Sequence, residues 1–302
     1  MSRRSLRALF FRPALPAAFF ALNVMPRFSL ERLPLLARRL ALFAACLLLA
    51  QGAAAAEVQS PASGERAEPF SIFVYGDSLT FGWVYEPQTK IVSRLPRAQT
   101  WPAQMMKALA ASGKIKNCCS LEVDALGGRT TDLDEKGSPG SGKIPGAAYN
   151  GLFTLPSALS AHMPSDLVII MLGSNDFARH HNRTAKETAQ ALARLVACVR
   201  QGKWQRRTAY RAPRVLIVLP PAFDGDKTPY GDFFSGSLGK MKDWAPVVEK
   251  AVREAGADFL DAGPVTGMPD QPDNVHFTAQ ECADLGRAVA AKVEEMYGAL
   301  PQ

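Results

Sequence analysis

A chain of 302 residues with 47% hydrophobic and 21% charged side chains has the make-up of a globular protein and excludes a disordered one. Its formal charge of +7 invites a nucleic-acid reading, but eight arginines against one acid in residues 1–56 carry all of it. Residues 57–302 therefore sum to zero, and a neutral body gives no electrostatic ground for a nucleic-acid partner.

From the N-terminus, Arg38 and Arg39 precede the apolar run Leu40–Ala50, and small residues follow from Gly52 to Ala56. That order of basic, apolar and small-residue segments predicts a secretory signal cleaved near Ala56. Eleven apolar residues are too few to span a bilayer, which takes about 20. The expectation is a periplasmic or secreted protein with no stable membrane anchor after cleavage. Residues 1–24 are a second Arg-rich, Pro-interrupted stretch, which makes Met25 an alternative start of translation. Residues 57–69, rich in Ala, Ser, Glu and Pro, read as a linker, and the folded domain is expected over 70–302. Export implies an oxidising compartment in which Cys118, Cys119, Cys198 and Cys282 are able to pair. Their spacing matches no zinc motif and leaves the connectivity open.

Ser71–Tyr75 is a short apolar strand that stops at Gly76, and Trp101–Ser112 has helical spacing with Pro102 in the first turn and Gly113 past the end. Leu121–Leu126 reads as a second strand, followed by a Gly/Pro/Ser-rich loop over Asp134–Gly146 that suits a lid or a contact surface. Residues 151–162 read as a helix and Asp166–Leu172 as a continuous apolar strand. Thr184 with Glu187 forms a capping-box pattern that opens a helix to about Gln201. Arg214–Leu219 gives the fourth strand, residues 241–255 a helix, Asp258–Asp261 the fifth strand, and Thr278 opens a last helix through Tyr297. Buried strands separated by helices predict a single α/β domain with a five-stranded parallel sheet. In such folds ligands sit at the carboxyl ends of the strands.

The first strand ends in Gly76-Asp77-Ser78-Leu79-Thr80, where a sharp turn starts a helix-like segment with free backbone N–H groups. Alone, Gly-Asp-Ser-Leu arises by chance in roughly one chain in a hundred, and an Asp/Ser helix cap explains it as well. It is not the nucleophile elbow of α/β-hydrolases, which has Gly two residues after the Ser where this chain has Thr80. The second strand ends in Gly127-Gly128-Arg129-Thr130-Thr131 and the third in Gly173-Ser174-Asn175-Asp176, each readable as a plain turn or cap. Before the last helix stands Asp273-Asn274-Val275-His276. Of the other histidines, His180 and His181 are adjacent on a loop and His162 ends a helix.

These four segments, in this order, resemble the conserved blocks of the SGNH (GDSL-type) hydrolase family over nearly all of residues 70–297. Gly76–Trp83, Asp166–Asp176 and Asp284-Leu285-Gly286 look like its arylesterase and acyltransferase subgroup. The resemblance implies a flavodoxin-like three-layer α/β/α fold. It places Ser78 on the nucleophile, Gly128 on the glycine that donates a backbone N–H, Asn175 on the side-chain amide donor, and Asp273 and His276 on the Asp-x-x-His pair. Loops around 86–100 and 202–213 differ in length from the subgroup's, so the resemblance does not carry over a substrate specificity.

A serine hydroxyl becomes nucleophilic when a neighbouring base accepts its proton, and His276 oriented by Asp273 suits that task. The oxyanion donors would be the Ser78 and Gly128 amides and the Asn175 side chain. The expected function is a serine esterase for short-chain acyl or aryl esters working through an acyl-serine, with no metal or cofactor. Alternatives are deacetylation of a polysaccharide and acyl transfer to an alcohol. A carbohydrate-binding scaffold is the non-enzyme reading, and an intact set of five catalytic positions argues against it. The expected partner is a small-molecule or acylated-sugar ester, with a homo-oligomer left open. Phe81, Trp83 and Tyr85 are candidates for an acyl or aryl pocket or for core packing, and Asp77 and Asp176 for structural hydrogen bonding.

Overall fold

The computed structural model describes residues 68–298 apart from 116–117, 136–142, 208–209 and 271. The expected leader, all but the end of the linker, and most of the 134–146 loop lie outside the described residues. Among the described residues no helix is long and apolar enough to cross a membrane.

The chain runs β1 (Phe70–Gly76), α1 (Ser78–Phe81), β2 (Trp83–Glu86), β3 (Ile91–Arg94), α2 (Trp101–Ser112) and β4 (Cys118–Ala125). It continues with α3 (Gly151–His162), β5 (Leu167–Met171), α4 (Ala185–Arg200), β6 (Arg214–Leu219), α5 (Ser237–Met241) and α6 (Trp244–Glu254). β7 (Asp258–Asp261), α7 (Gly263–Thr266) and α8 (Ala279–Gly298) complete it. β1, β4, β5, β6 and β7 form one five-stranded sheet in the order β4-β1-β5-β6-β7, with every neighbouring pair parallel.

Side chains alternate across this sheet as the pleat requires. Phe73, Tyr75, Val168, Ile170, Val215 and Ile217 face a core closed by α3, α4 and α6. Ile72, Val74, Leu167, Ile169, Leu216 and Val218 face a second core closed by α2 and α8. Residues Leu167–Met171 are wholly buried, which is why an unbroken apolar run makes a strand here: a central parallel strand has no solvent face. Each such side chain contributes about 1.5–3 kcal/mol on burial. The three-layer α/β/α domain with a five-stranded parallel sheet is the expected architecture.

Two local features differ from expectation, and a third fills in a pairing that the sequence left open. Residues 83–94 form an antiparallel hairpin, with Trp83 opposite Arg94 and Tyr85 opposite Val92. The helix expected over 241–255 is broken at Lys242 and Asp243, the latter left-handed at φ 57°. Cys118 and Cys119 are joined in a disulfide between adjacent residues, while Cys198 and Cys282 are free and buried.

Numbered within the sheet alone, the strand order is second-first-third-fourth-fifth. The connection from β1 runs outward to β4, and the chain then returns to place β5 on the other side of β1. The crevice beyond the carboxyl ends of β1 and β5 is therefore the topological switch point, where ligands bind in open α/β sheets.

Candidate active site

Three strand-end loops and the turn before α8 meet at that crevice. Asp77 caps α1, its Oδ1 accepting the Leu79 amide at 3.0 Å, so Ser78 takes the first helical position, whose N–H has no intrahelical partner. The Asp273–His276 turn is built on the aspartate itself: Asp273 Oδ1 accepts the backbone N–H of Val275 at 3.0 Å and of His276 at 2.8 Å. Its other oxygen, Oδ2, lies 2.6 Å from His276 Nδ1. On the far side of the ring, His276 Nε2 lies 2.8 Å from Ser78 Oγ. Ser78 and His276 are 7% and 6% exposed and Asp273 is fully buried, so solvent weakens these contacts little.

Burial raises the Asp273 carboxyl, but hydrogen bonds from the His276 ring, the charge of that ring, the His276 amide and the Tyr230 hydroxyl outweigh it and hold the group well below the usual carboxylate range. Tyr230 donates to Asp273 Oδ2 at 2.7 Å. Burial and the adjacent carboxylate push the Tyr230 phenol well above its ordinary range, so it stays a donor. No local pattern marks Tyr230 in the sequence, where it stands between Pro229 and Gly231 in an irregular loop. The Trp83 ring lies nearly parallel to the His276 ring, 20° apart with centroids at 5.8 Å, and Tyr85 meets Tyr230 edge-on at 5.9 Å. Of the three aromatic candidates, Trp83 and Tyr85 thus stand at the site. Phe81 instead lies under the Arg94 guanidinium at 4.1 Å.

Asn175 sits in the 3-10 turn Ser174–Phe177 that follows β5. Its Nδ2 donates to Asp77 Oδ2 at 3.1 Å and to the Arg129 carbonyl at 3.0 Å, tying the nucleophile loop to the Gly128 loop. Gly127 and Gly128 are required for different reasons. A Cβ on Gly127 would lie 2.7 Å from the Trp83 ring, and Gly128 adopts φ +85°, a region costly for other residues. Arg129 is a structural clasp, with Nη1 donating to Gly76 O at 2.9 Å and Nη2 to Asp124 Oδ1 at 2.8 Å. Asp176 accepts the Thr131 amide at 2.8 Å and the Thr131 hydroxyl at 2.5 Å, locking the second and third strand-end loops together. Burial drives Asp77 up to about 7, against the Leu79 amide and the Arg129 charge. Burial likewise raises Asp176 to about 6, against its bonds from Thr131 and Thr188.

All five residues expected at the site are thus carried on loops of one rim, with Ser78, His276 and Asp273 joined in one hydrogen-bonded line and Asn175 bonded to the residue following Gly128. A base bonded to a hydroxyl and itself oriented by a buried carboxylate is the arrangement that activates a serine.

The structure matches a carbohydrate acetylesterase from Sinorhizobium meliloti with TM-score 0.63 at 31% identity, over 76% of this chain and 100% of that one. It matches the aryl esterase of M. smegmatis with TM-score 0.62 at 32% identity, over 75% of this chain and 99% of that one. Comparison with curated proteins gives no match. The model of one family spans residues 74–280. The chain belongs to that family, the GDSL-like lipase/acylhydrolases of the SGNH fold, and is a carboxylic ester hydrolase.

Proposed function

We propose that the chain is a serine esterase that hydrolyses short-chain acyl or aryl esters through an acyl-serine intermediate. The observation that carries this reading is the line Ser78 Oγ to His276 Nε2 at 2.8 Å and His276 Nδ1 to Asp273 Oδ2 at 2.6 Å. As Ser78 Oγ bonds to the ester carbonyl carbon, its proton passes to His276 Nε2, and Asp273 stabilises the imidazolium. The carbonyl oxygen becomes an oxyanion held by the amides of Ser78 and Gly128 and by Asn175 Nδ2. One of the two Asn175 hydrogens must turn from Asp77 or the Arg129 carbonyl toward that oxygen, exchanging an existing bond for a charge-assisted one. His276 then returns the proton to the leaving alkoxide as the C–O bond breaks. Water, deprotonated by His276, attacks the acyl-serine and releases the acid and free Ser78. An alcohol in place of that water gives acyl transfer by the same steps.

Purified protein should hydrolyse p-nitrophenyl acetate, and Ser78→Ala should lower kcat by roughly 10⁴–10⁶-fold. A variant as active as the parent would overturn the serine mechanism. A second reading, deacetylation of acetylated carbohydrate, is favoured by the likeness to the Sinorhizobium meliloti acetylesterase. A panel of acyl-chain esters and acetylated sugars separates the two by their kcat/KM values. Export belongs to the same proposal, because residues 38–56 have the order of a secretory signal. Sequencing of the mature N-terminus should begin near Glu57, and an intact leader on secreted protein would sink it.

A further inference from the structure

Beyond the Ser78–His276–Asp273 line, the same rim carries a second cluster of polar side chains. The 3-10 turn Arg179–His181, a few residues past Asn175, presents both of its histidines to one carboxylate. His180 Nε2 lies 2.9 Å from Glu135 Oε1 and His181 Nε2 lies 3.3 Å from Glu135 Oε2. The two imidazole centroids are 4.0 Å apart, and one donor atom from each of the three residues falls within 4.8 Å of the others. Glu135 and His181 have side chains only 5% and 6% exposed, whereas His180 is 36% exposed and gives the cluster an open flank.

Both sides of the cluster are held by their backbones. Glu135 donates its amide to the Gly146 carbonyl at 3.1 Å. A Cβ at Gly146 would lie 2.1 Å from the Glu135 carbonyl oxygen, so glycine allows this close approach. The histidine turn closes with the His181 amide on Ala178 O at 3.0 Å and with Asn182 left-handed at φ 49°. The Phe233 ring packs on His180 with centroids at 5.4 Å and limits the swing of that imidazole.

Two ring nitrogens face one buried carboxylate at 2.9 and 3.3 Å. A cation among them accepts three lone pairs at once. A tetrahedral ion with bonds of about 2.0–2.1 Å holds its donors about 3.3 Å apart; His181 Nε2 already stands 3.3 Å from one carboxylate oxygen, and His180 Nε2, 2.9 Å from the other, has to draw back by a few tenths of an ångström. Two imidazoles with one carboxylate suit a borderline ion such as zinc, and water reaching the open flank completes the shell.

We propose that Glu135, His180 and His181 form a binding site for a divalent transition-metal ion of the zinc class, separate from the ester-cleaving residues. The ion takes no step in ester cleavage. It ties the segment that follows Gly128 to the segment that follows Asn175, and so stiffens the rim on which two oxyanion donors are carried.

The test uses untagged protein, stripped with chelator and titrated with zinc chloride. We expect one ion per chain by elemental analysis and a zinc-dependent rise in Tm. Glu135→Gln and the His180→Ala, His181→Ala double variant should each weaken zinc binding beyond the roughly 10–100-fold that loss of a supporting contact costs. Hydrolysis of p-nitrophenyl acetate by the stripped protein should persist, which separates this inference from the ester reading. His180→Ala alone, at the exposed position, guards against a variant that fails to fold. Absence of stoichiometric zinc in the parent, or equal binding in the Glu135 and histidine variants, would overturn the proposal.

Discussion

Tyr230 is the residue at the site that carries a role without a sequence motif to announce it. Asp273 Oδ2 accepts from both His276 Nδ1 and Tyr230 Oη, at 2.6 and 2.7 Å. The phenol therefore draws off part of the carboxylate charge that would otherwise act on the imidazole, and it fixes the rotation of the carboxyl group. Tyr230→Phe keeps the ring packing on Tyr85 and Phe234 and removes only the O–H. We expect kcat/KM to fall about tenfold to a hundredfold, the worth of one hydrogen bond to a charged group at about 1.5–3 kcal/mol. The loss should fall on kcat with KM little changed, because the phenol touches the Asp273 carboxylate and not the substrate. Steady-state kinetics measures both. A fall in Tm with kcat unmoved would assign Tyr230 a packing role alone.

At the scale of elements, the legible parts were those whose environment is uniform along the segment. β5 and β6 are buried on both faces, so their apolar runs could be nothing else of that length, and the Thr184–Glu187 capping box forms as its pattern predicts, with both reciprocal bonds present. The β2–β3 hairpin is not legible in the sequence because Trp83, Val84 and Tyr85 are all half-buried and apolar, giving no alternation. Its turn also depends on Lys90 at φ 55°, a conformation that lysine does not advertise. The break between α5 and α6 rests on Asp243 in the left-handed region, within a stretch whose apolar spacing continues across it. Ser78, Gly128 and Asn175 were legible because each follows the end of a strand, and Asp273 and His276 because they stand just before the last helix in the order of the family's blocks. Tyr230 was not, since it reaches Asp273 from 43 positions away in the sequence. The Glu135–His180–His181 cluster was hidden for the same reason: two adjacent histidines carry no ligand spacing until a distant loop supplies the carboxylate.

Across the whole molecule, the rim loops are held together by carboxylates buried at a cost in stability. Asp77 and Asp176 are both fully buried, and their carboxyls are raised from 3.8 to about 7 and about 6. The native state therefore binds protons more tightly than the unfolded chain at these two positions. Stability from such groups is fully present below the unfolded value and is lost as pH rises through the folded one. Asp273 is shifted the other way, so its contribution is complete above about 4 and constant through this window. Between about pH 4 and pH 7 the expected slope is downward, by roughly 1.4 kcal/mol per pH unit for each group while it is protonated only in the native state. Above pH 7 an ionised Asp77 accepts a stronger bond from Asn175, so the conditions that lower global stability also fasten the amide donor in place. Urea unfolding at pH 5 and pH 7.5 should give the higher midpoint at pH 5. Asp77→Asn, which cannot titrate, should flatten that difference by its share. A midpoint that rises from pH 5 to pH 7.5 would mean that the Arg129 charge and the amide bonds to these carboxylates outweigh their burial, leaving both ionised throughout.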